Sequence, residues 1–257
     1  MKTISFGGLG DSFIVSCKLN QLLRKENPKK IEHIFVEGSE KTCDLIKEFT
    51  DFYRPSNKIE MKVEYDSEYQ KSFYEGKWRG RRYINTSWHG DYHFPGSDNI
   101  CLEDEFAYFP KFPPSINYQN DICIQVAAGT NSTRGWKFDV LRLRNVLKAR
   151  GLRVALVGTA KEFVDDDPFN FVCKKDLRGS VAAVSNTGVY MGLSGFHTYW
   201  SLAANIPNIH VEESEAHNAH YIFSGWEKFR YGIKYGSLNE VVRGLKYWGS
   251  KLEKVFI

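Results

Sequence analysis

Long apolar runs are missing from this chain. No stretch approaches the roughly 18 to 20 consecutive apolar residues that a membrane span needs, and the opening MKTISFGGLGD carries glycines and an acid where a secretory leader is continuously apolar. The expectation is a cytoplasmic protein with no membrane span. Paired cysteines are missing too: Cys17, Cys43, Cys101, Cys123 and Cys173 are odd in number, widely spaced and without a CxxC pair, which argues against a disulfide framework and reads as free core thiols. An excess of one charge is also lacking. A formal +4 over 257 residues permits a phosphorylated or nucleic-acid partner without demanding one. There is no low-complexity segment and no internal repeat in identities.

What the chain has is a globular composition, 42% hydrophobic and 26% charged, arranged in two rounds of alternating strand and helix patterns. Lys2 to Phe6 reads as a short apolar strand, and Phe13, Ile14, Cys17, Leu19, Leu22 and Leu23 recur at helical spacing from Asp11 to Lys25. IEHIFVEG predicts a second strand ending at Gly38, Ser39 a cap for the helix after it, and Lys58 to Tyr65 a third strand. A further strand is expected over Tyr83 to Trp88. This order is that of a parallel sheet. Pro110, Pro113 and Pro114 then mark a linker, dividing the chain into domains at 1–114 and 115–257.

Beyond the linker the rhythm restarts. Asp121 to Ala127 predicts a buried strand, AGTNSTRGW a glycine- and hydroxyl-rich loop, Lys137 to Arg150 a helix with Gly151 as its cap, Arg153 to Val157 a strand ending at Gly158, Phe169 to Cys173 another, and Leu177 to Ser185 a short helix. The stretch GVYMGLSGFHTYWSLAANIPNIHV, Gly188 to Val211, then reads as a buried strand, a turn through Gly192, Leu193, Ser194 and Gly195, a helix to about Ala204, and a second strand after Pro207. The unpaired N–H groups of such a helix start, with the positive end of its dipole, suit an anion, most often a phosphate. The same residues equally suit a plain crossover in which Ser194 only caps the helix and Gly195 only permits close packing. A final helix, Leu238 to Leu252, is of a kind to pack back across the molecule.

Taken together, GGLGD before an amphipathic helix, STRGW before a helix, GLRVALVGTAKE and MGLSGFHTYWSLAANIPNI resemble, in order and spacing, the motifs of glycosyltransferase family nine, the ADP-heptose:lipopolysaccharide heptosyltransferase-like enzymes. The resemblance implies an α/β architecture of the GT-B type: two Rossmann-like domains facing across a cleft, acceptor on the N-terminal one, nucleotide-sugar donor on the C-terminal one, and no metal in the chemistry. It makes Asp11 the candidate general base, by its match to the Asp of the family's GxGD, places Arg134 on the lysine that contacts the donor phosphates, and sets Ser194 and Gly195 where backbone amides meet the diphosphate. Gly10, Thr130, Ser132, Lys137, Gly158, Gly192, Phe196 and His197, from the same loops, complete the candidate donor set. Leu193 stands where the family has a polar or acidic residue, and His197 one position before the family's histidine. No cofactor is implied, the nucleotide-diphosphate sugar being a co-substrate.

The residue types suit that chemistry, since glycosyl transfer needs a base for the acceptor hydroxyl proton and positive charge for the departing diphosphate. Asp11 is read either as that base or as a helix cap. Arg134 is read either as a bidentate phosphate ligand or as a solvated loop residue. His89, Asp91 and His93 alternate in a loop of the N-terminal half as candidate acceptor contacts. KWRGRRY interleaves Arg79, Arg81 and Arg82 with aromatics, a pattern that suits nucleic-acid bases and phosphates, an anionic glycan, or a plain basic surface. DDDP at Asp165 to Pro168 has the DxD pattern of metal-dependent transferases but follows no buried strand, and is read as an acidic loop. His210, His217 and His220 have no zinc-site spacing and are read as a polar loop. The reading is a sugar transferase acting on a glycan. Its alternatives are a transferase acting on a hydroxylated base in DNA and a catalytically silent nucleotide-binding module.

Overall fold

The computed structural model describes residues 1–37, 43–48, 56–65, 83–87, 100–103, 119–126, 136–158, 172–173, 177–193, 195–211, 224–234 and 236–257. The chain divides into two compact units, Met1–Tyr108 with Ala216–Gly225, and Phe109–Glu215 with Trp226–Ile257.

In the first unit β1 (Lys2–Phe6), β2 (Ile31–Glu37), β3 (Ile59–Tyr65) and β4 (Ile84–Asn85) form a parallel sheet in the order β3-β2-β1-β4. Of the strand expected over Tyr83 to Trp88, Ile84–Asn85 pairs with β1 at Thr3 and Ile4. Helix α1 (Leu9–Glu26) carries the chain from β1 to β2 and ends on Asn27, whose left-handed backbone, φ 42°, lets its N–H reach the Leu23 carbonyl. Its Val15, Leu19 and Leu22 pack with Ile31, Phe35 and Ile59 in one core, joined by Ile46 from the helical residues 43–48. The chain thus steps outward from β1 through β2 to β3 and returns to β1's other side with β4, so the strand order reverses between β1 and β4.

The second unit repeats the device with more strands. β5 (Asn120–Gln125), β6 (Val154–Val157), β7 (Val172–Cys173), β8 (Thr187–Leu193), β9 (Asn208–Val211) and β10 (Arg230–Ile233) are parallel, in the order β10-β9-β8-β5-β6-β7. One face of this sheet, Ile122, Ile124, Val154, Leu156, Val189, Met191, Ile209 and Ile233, is covered by α2 (Val140–Ala149), through Val140, Leu143 and Leu147, and by α5 (Leu238–Lys251), through Val241, Leu245 and Trp248. Because side chains alternate along a strand, Cys123, Gln125 and Tyr190 lie on the opposite face, where α3 (Leu177–Ser185) and α4 (Phe196–Ala203) pack on each other and on β6 and β8. A sheet covered on both faces explains why its strands read as nearly continuous apolar runs.

Several expectations are corrected here. Helix α2 begins at Val140 and not Lys137, because the Asp139 side chain accepts from the N–H groups of Leu141 and Arg142 at 2.9 and 3.1 Å and caps it there. Gly151 follows the cap instead of forming it: with φ 81° it lets its own N–H reach Lys148 O and that of Leu152 reach Leu147 O, a Schellman ending. Helix α5 packs its apolar side on Ile209 and Ile233 of its own unit. His210 lies not in a polar loop but in β9, 3% exposed, bonded through Nδ1 to Asn208 Oδ1 at 3.0 Å. Cys17, Cys43 and Cys123 are buried thiols as expected, whereas Cys101 is exposed.

Candidate functional site

In open parallel sheets, ligands bind outside the carboxyl ends of the strands where the strand order reverses, because the loops there diverge and leave a crevice. Each unit has one such point. They are described separately.

In the second unit the reversal falls between β5 and β8. Main-chain pairing of these strands stops at Ile124 and Met191, and from there side chains take over. Gln125 Oε1 accepts from the Tyr190 hydroxyl at 2.7 Å and from the Leu193 N–H at 3.1 Å. The Leu193 carbonyl accepts from Thr198 Oγ1 at 2.7 Å, so both polar backbone groups of Leu193 are held by side chains. Gln125's own carbonyl accepts from Trp136 Nε1 at 2.7 Å, which brings the Trp of STRGW back to the end of β5.

The turn then enters α4 through Gly195, whose φ of 153° only glycine adopts readily. The first N–H groups of this helix, those of Phe196 and His197 among them, start at the carboxyl edge of the sheet. They provide the dipole end expected for an anion.

His197 is half-buried as a residue, yet its Nε2 atom is shielded and meets no hydrogen-bond partner among the described residues. Burial pulls its pKa down to about 4, so the ring is neutral near pH 7. At that pH it is a hydrogen-bonding group and not a cation.

Gly192, expected in the turn, is the penultimate residue of β8. A side chain there would overlap the ring of Tyr190, so the glycine makes room for the ring that reaches Gln125. Lys137 is exposed and precedes α2, with its backbone N–H on Gly236 O at 3.0 Å. Gly158 closes β6 with φ 144°. Thr130, Ser132, Arg134 and Ser194 lie outside the described residues.

In the first unit the reversal falls between β1 and β4. Gly7, with φ 146°, and Gly8 lead from β1 into α1, which starts at Leu9, two residues before the expected Asp11. Gly10 therefore sits in the first helical turn and not in the loop. Asp11 does cap the helix, but from the third position inward: Gly8 is the N-cap and donates its N–H to Asp11 Oδ2 at 2.5 Å. A side chain on Gly7 would overlap that carboxylate, so it is Gly7 that lets Asp11 fold back over the end of β1, whereas at Gly8 a side chain would meet it only in ordinary contact.

Next to it, Ser87, just past β4, accepts from Phe6 N–H through Oγ at 3.0 Å and from Lys18 Nζ through its carbonyl at 2.6 Å. Lys18 is 1% exposed, and burial lowers its pKa from 10.5 to about 8, against the raising effect of nearby Cys101. Gln21, one turn on, donates to Cys101 O at 2.8 Å and accepts from the Glu103 N–H at 2.8 Å. One face of α1 thus clamps both ends of the segment 88–99. The candidate acceptor residues His89, Asp91 and His93 of that segment lie outside the described residues, as do Arg79, Arg81 and Arg82, the acidic Asp165 to Pro168, and His217 and His220.

Sequence reasoning missed Gln125 and Lys18. Gln125 is a single polar residue in an apolar run and Lys18 one of several polar residues along its helix, and the side-chain partners of each stand more than 60 positions away. The Trp of STRGW was the one local signal.

Similarity to solved structures follows the geometry. E. coli ADP-heptose lipopolysaccharide heptosyltransferase II matches over 98% of this chain and 100% of its own, with a TM-score of 0.59 at 13% identity. The chain has the heptosyltransferase fold. E. coli heptosyltransferase WaaC, solved with ADP, matches over 98% of both chains with a TM-score of 0.56 at 11% identity. A family nine glycosyl transferase from Veillonella parvula DSM 2008 matches over 100% of this chain and 90% of its own, with a TM-score of 0.56 at 8% identity. These are GT-B neighbours, and the α/β architecture of two parallel sheets is theirs. No protein-family model and no curated protein matches the sequence. Among the described residues no helix is long and apolar enough to cross a membrane, and no group of three His, Cys, Asp or Glu is placed to hold a metal ion.

Proposed function

We propose that this chain is a glycosyltransferase that moves a sugar from a nucleotide-diphosphate donor to a hydroxyl of a glycan, without a metal ion. The observation that carries the reading is the second unit's reversal point, where a glycine-led helix start and the Trp136 segment are both tied to Gln125 on a heptosyltransferase fold. The nucleotide sugar is taken from the same likeness, since the neighbouring E. coli enzymes are described with ADP-heptose and ADP.

In this reading the amides of Ser194 and Gly195, with Arg134, hold the diphosphate, and Asp11 takes the proton of the acceptor hydroxyl. The acceptor oxygen then bonds to the anomeric carbon, the bond from that carbon to the diphosphate oxygen breaks, and the electron pair leaves with the nucleoside diphosphate. His89, Asp91 and His93 belong to the acceptor side.

The test is release of nucleoside diphosphate from ADP-, UDP- and GDP-sugars, with lipopolysaccharide oligosaccharide or a hydroxymethylated DNA duplex offered as acceptor and with or without EDTA. Release that depends on the oligosaccharide and survives EDTA is expected. Asp11→Asn keeps an oxygen for the Gly8 N–H, so its Tm and nucleotide affinity stay near the parent's. Transfer falls at least about a hundredfold, about 2.7 kcal/mol of barrier. Normal transfer by Asp11→Asn moves the base elsewhere, with His89, Asp91 and His93 next in line. Activity lost with EDTA and restored by manganese overturns metal independence, and release with DNA alone overturns the glycan acceptor.

A further inference from the structure

We propose that Gln125 is a positioning residue of the nucleotide-diphosphate site: its side chain, with that of Thr198, sets the backbone of Leu193, where β8 ends ahead of α4, before any ligand arrives. The inference rests on the donor-site reading above and adds a residue that no motif contains. Three of the bonds at Gln125 bear on the turn. Its side-chain oxygen continues the β5–β8 ladder by one step where main-chain pairing has ended, holding Leu193 N–H at 3.1 Å, while the same oxygen is fixed from the other side by the Tyr190 hydroxyl at 2.7 Å. Its carbonyl holds Trp136 at 2.7 Å. Tyr190 is fully buried and Leu193 1% exposed, and the acceptor Gln125 is 6% exposed, so neither donor has water as a substitute partner.

The chemistry selects this side chain. The position needs an acceptor at the reach of a five-atom side chain, which asparagine is too short to give. It also needs to be neutral, because a glutamate would set a negative charge at the edge of a site for diphosphate. With Gln125 and Thr198 taking both polar groups of Leu193, the amides available to a ligand among the described residues are those at the first turn of α4. Such fixing ahead of binding lowers the ordering cost at association.

The experiment compares the full chain with Gln125→Met, similar in length but without the acceptor. It reads backbone hydrogen exchange over residues 190–198 and the affinities of ADP, UDP, GDP and adenosine by calorimetry. Exchange in the turn should rise at least tenfold while β6 and α5 stay protected. Affinity for the tightest-binding diphosphate should fall at least tenfold, while adenosine changes less than threefold. If Gln125→Met does not fold, Gln125→Asn, which withdraws the oxygen by one methylene, carries the same expectations. Unchanged exchange in the turn, or an equal loss of diphosphate and adenosine affinity, overturns the positioning role and leaves Gln125 a packing residue. If the unaltered protein binds none of the three diphosphates, the donor-site reading fails and the positioning role with it. That failure appears in the unaltered protein, whereas failure of Gln125 alone appears only in the variant.

Discussion

Replacing Lys18 by methionine should change the pH dependence of stability more than stability itself. The lysine is 1% exposed and ionises at about 8 in the fold against 10.5 when free, burial being the cause and Cys101 opposing it. While charged in both states it therefore costs the fold about 3 kcal/mol, at about 1.4 kcal/mol for each tenfold in proton affinity. The sign follows from proton counting. Between pH 8 and 10.5 the unfolded chain holds this proton more often than the folded one, so raising the pH through that window relieves the cost. Below pH 8 the cost is full and constant. Methionine keeps the length and apolar stem of the side chain and removes the charge. It also leaves the Ser87 carbonyl, now bonded at 2.6 Å, without that donor, a loss of about 1 to 3 kcal/mol. At pH 7 the two effects nearly cancel. Urea unfolding of both proteins from pH 7 to 10.5 is the assay, and the difference between their curves is the quantity to read. Cys17 and Tyr190, whose ionisation burial also opposes, titrate alike in both proteins and drop out of the difference. The parent should gain about 3 kcal/mol on the variant across the window. Parallel curves would show a solvated Lys18 and refute the clamp on Ser87.

Acid should act through histidines. Burial first holds His33 and His210 at about 3 and His197 at about 4, with Arg230 adding to the effect on His210, so all three are neutral in the fold and protonated in the unfolded chain between pH 6.5 and about 4. Stability is lost as pH falls through that window, by about 1.4 kcal/mol per histidine per pH unit, and denaturant unfolding at pH 5 to 6 should show uptake of two to three protons; uptake below one refutes the buried, neutral assignment. Gly192→Ala should cost about 1 to 3 kcal/mol, because the added methyl overlaps the fully buried Tyr190 ring and one of them must shift. An unchanged melting temperature would mean that the ring does not occupy that space.

The parts of this architecture that announce themselves in the sequence are those whose cause is local. β1, β2, β5 and β6 appear as apolar runs and β3 as an alternation because helices cover the core face of each sheet, and Leu177–Ser185 was legible to the residue. Where a boundary depends on a distant group, the local signal misleads. The GLSG sequence reads as a turn from its first glycine, yet the strand runs on to Leu193 because Gly192 and Leu193 still pair with His210 and Val211 of β9, and the glycine is there to leave room for the ring of Tyr190. Helix α1 seems to begin at its acid, since Gly8 has no side chain to advertise a cap, while the acid reaches backward to do the capping. His210 carries the polarity of the residues after it but the geometry of the strand before it. It can be buried because Asn208, two residues earlier on the same face, accepts its Nδ1 proton.

The candidate site follows the same rule. Its described motif residues, Gly7, Gly8, Asp11 and Gly195 among them, stand at strand ends and helix starts, where short-range chemistry fixes what type of residue can serve, and so they can be found by pattern. What ties the neighbouring strand ends together within each unit is Gln125 reaching residues 65 and 68 positions on in the second, and Lys18 reaching one 69 positions on in the first. Neither has a periodicity or a spacing of its own to be read. Such residues come into view only once the strand order is known, because it is the reversal of that order that brings the ends of β5 and β8, and of β1 and β4, side by side.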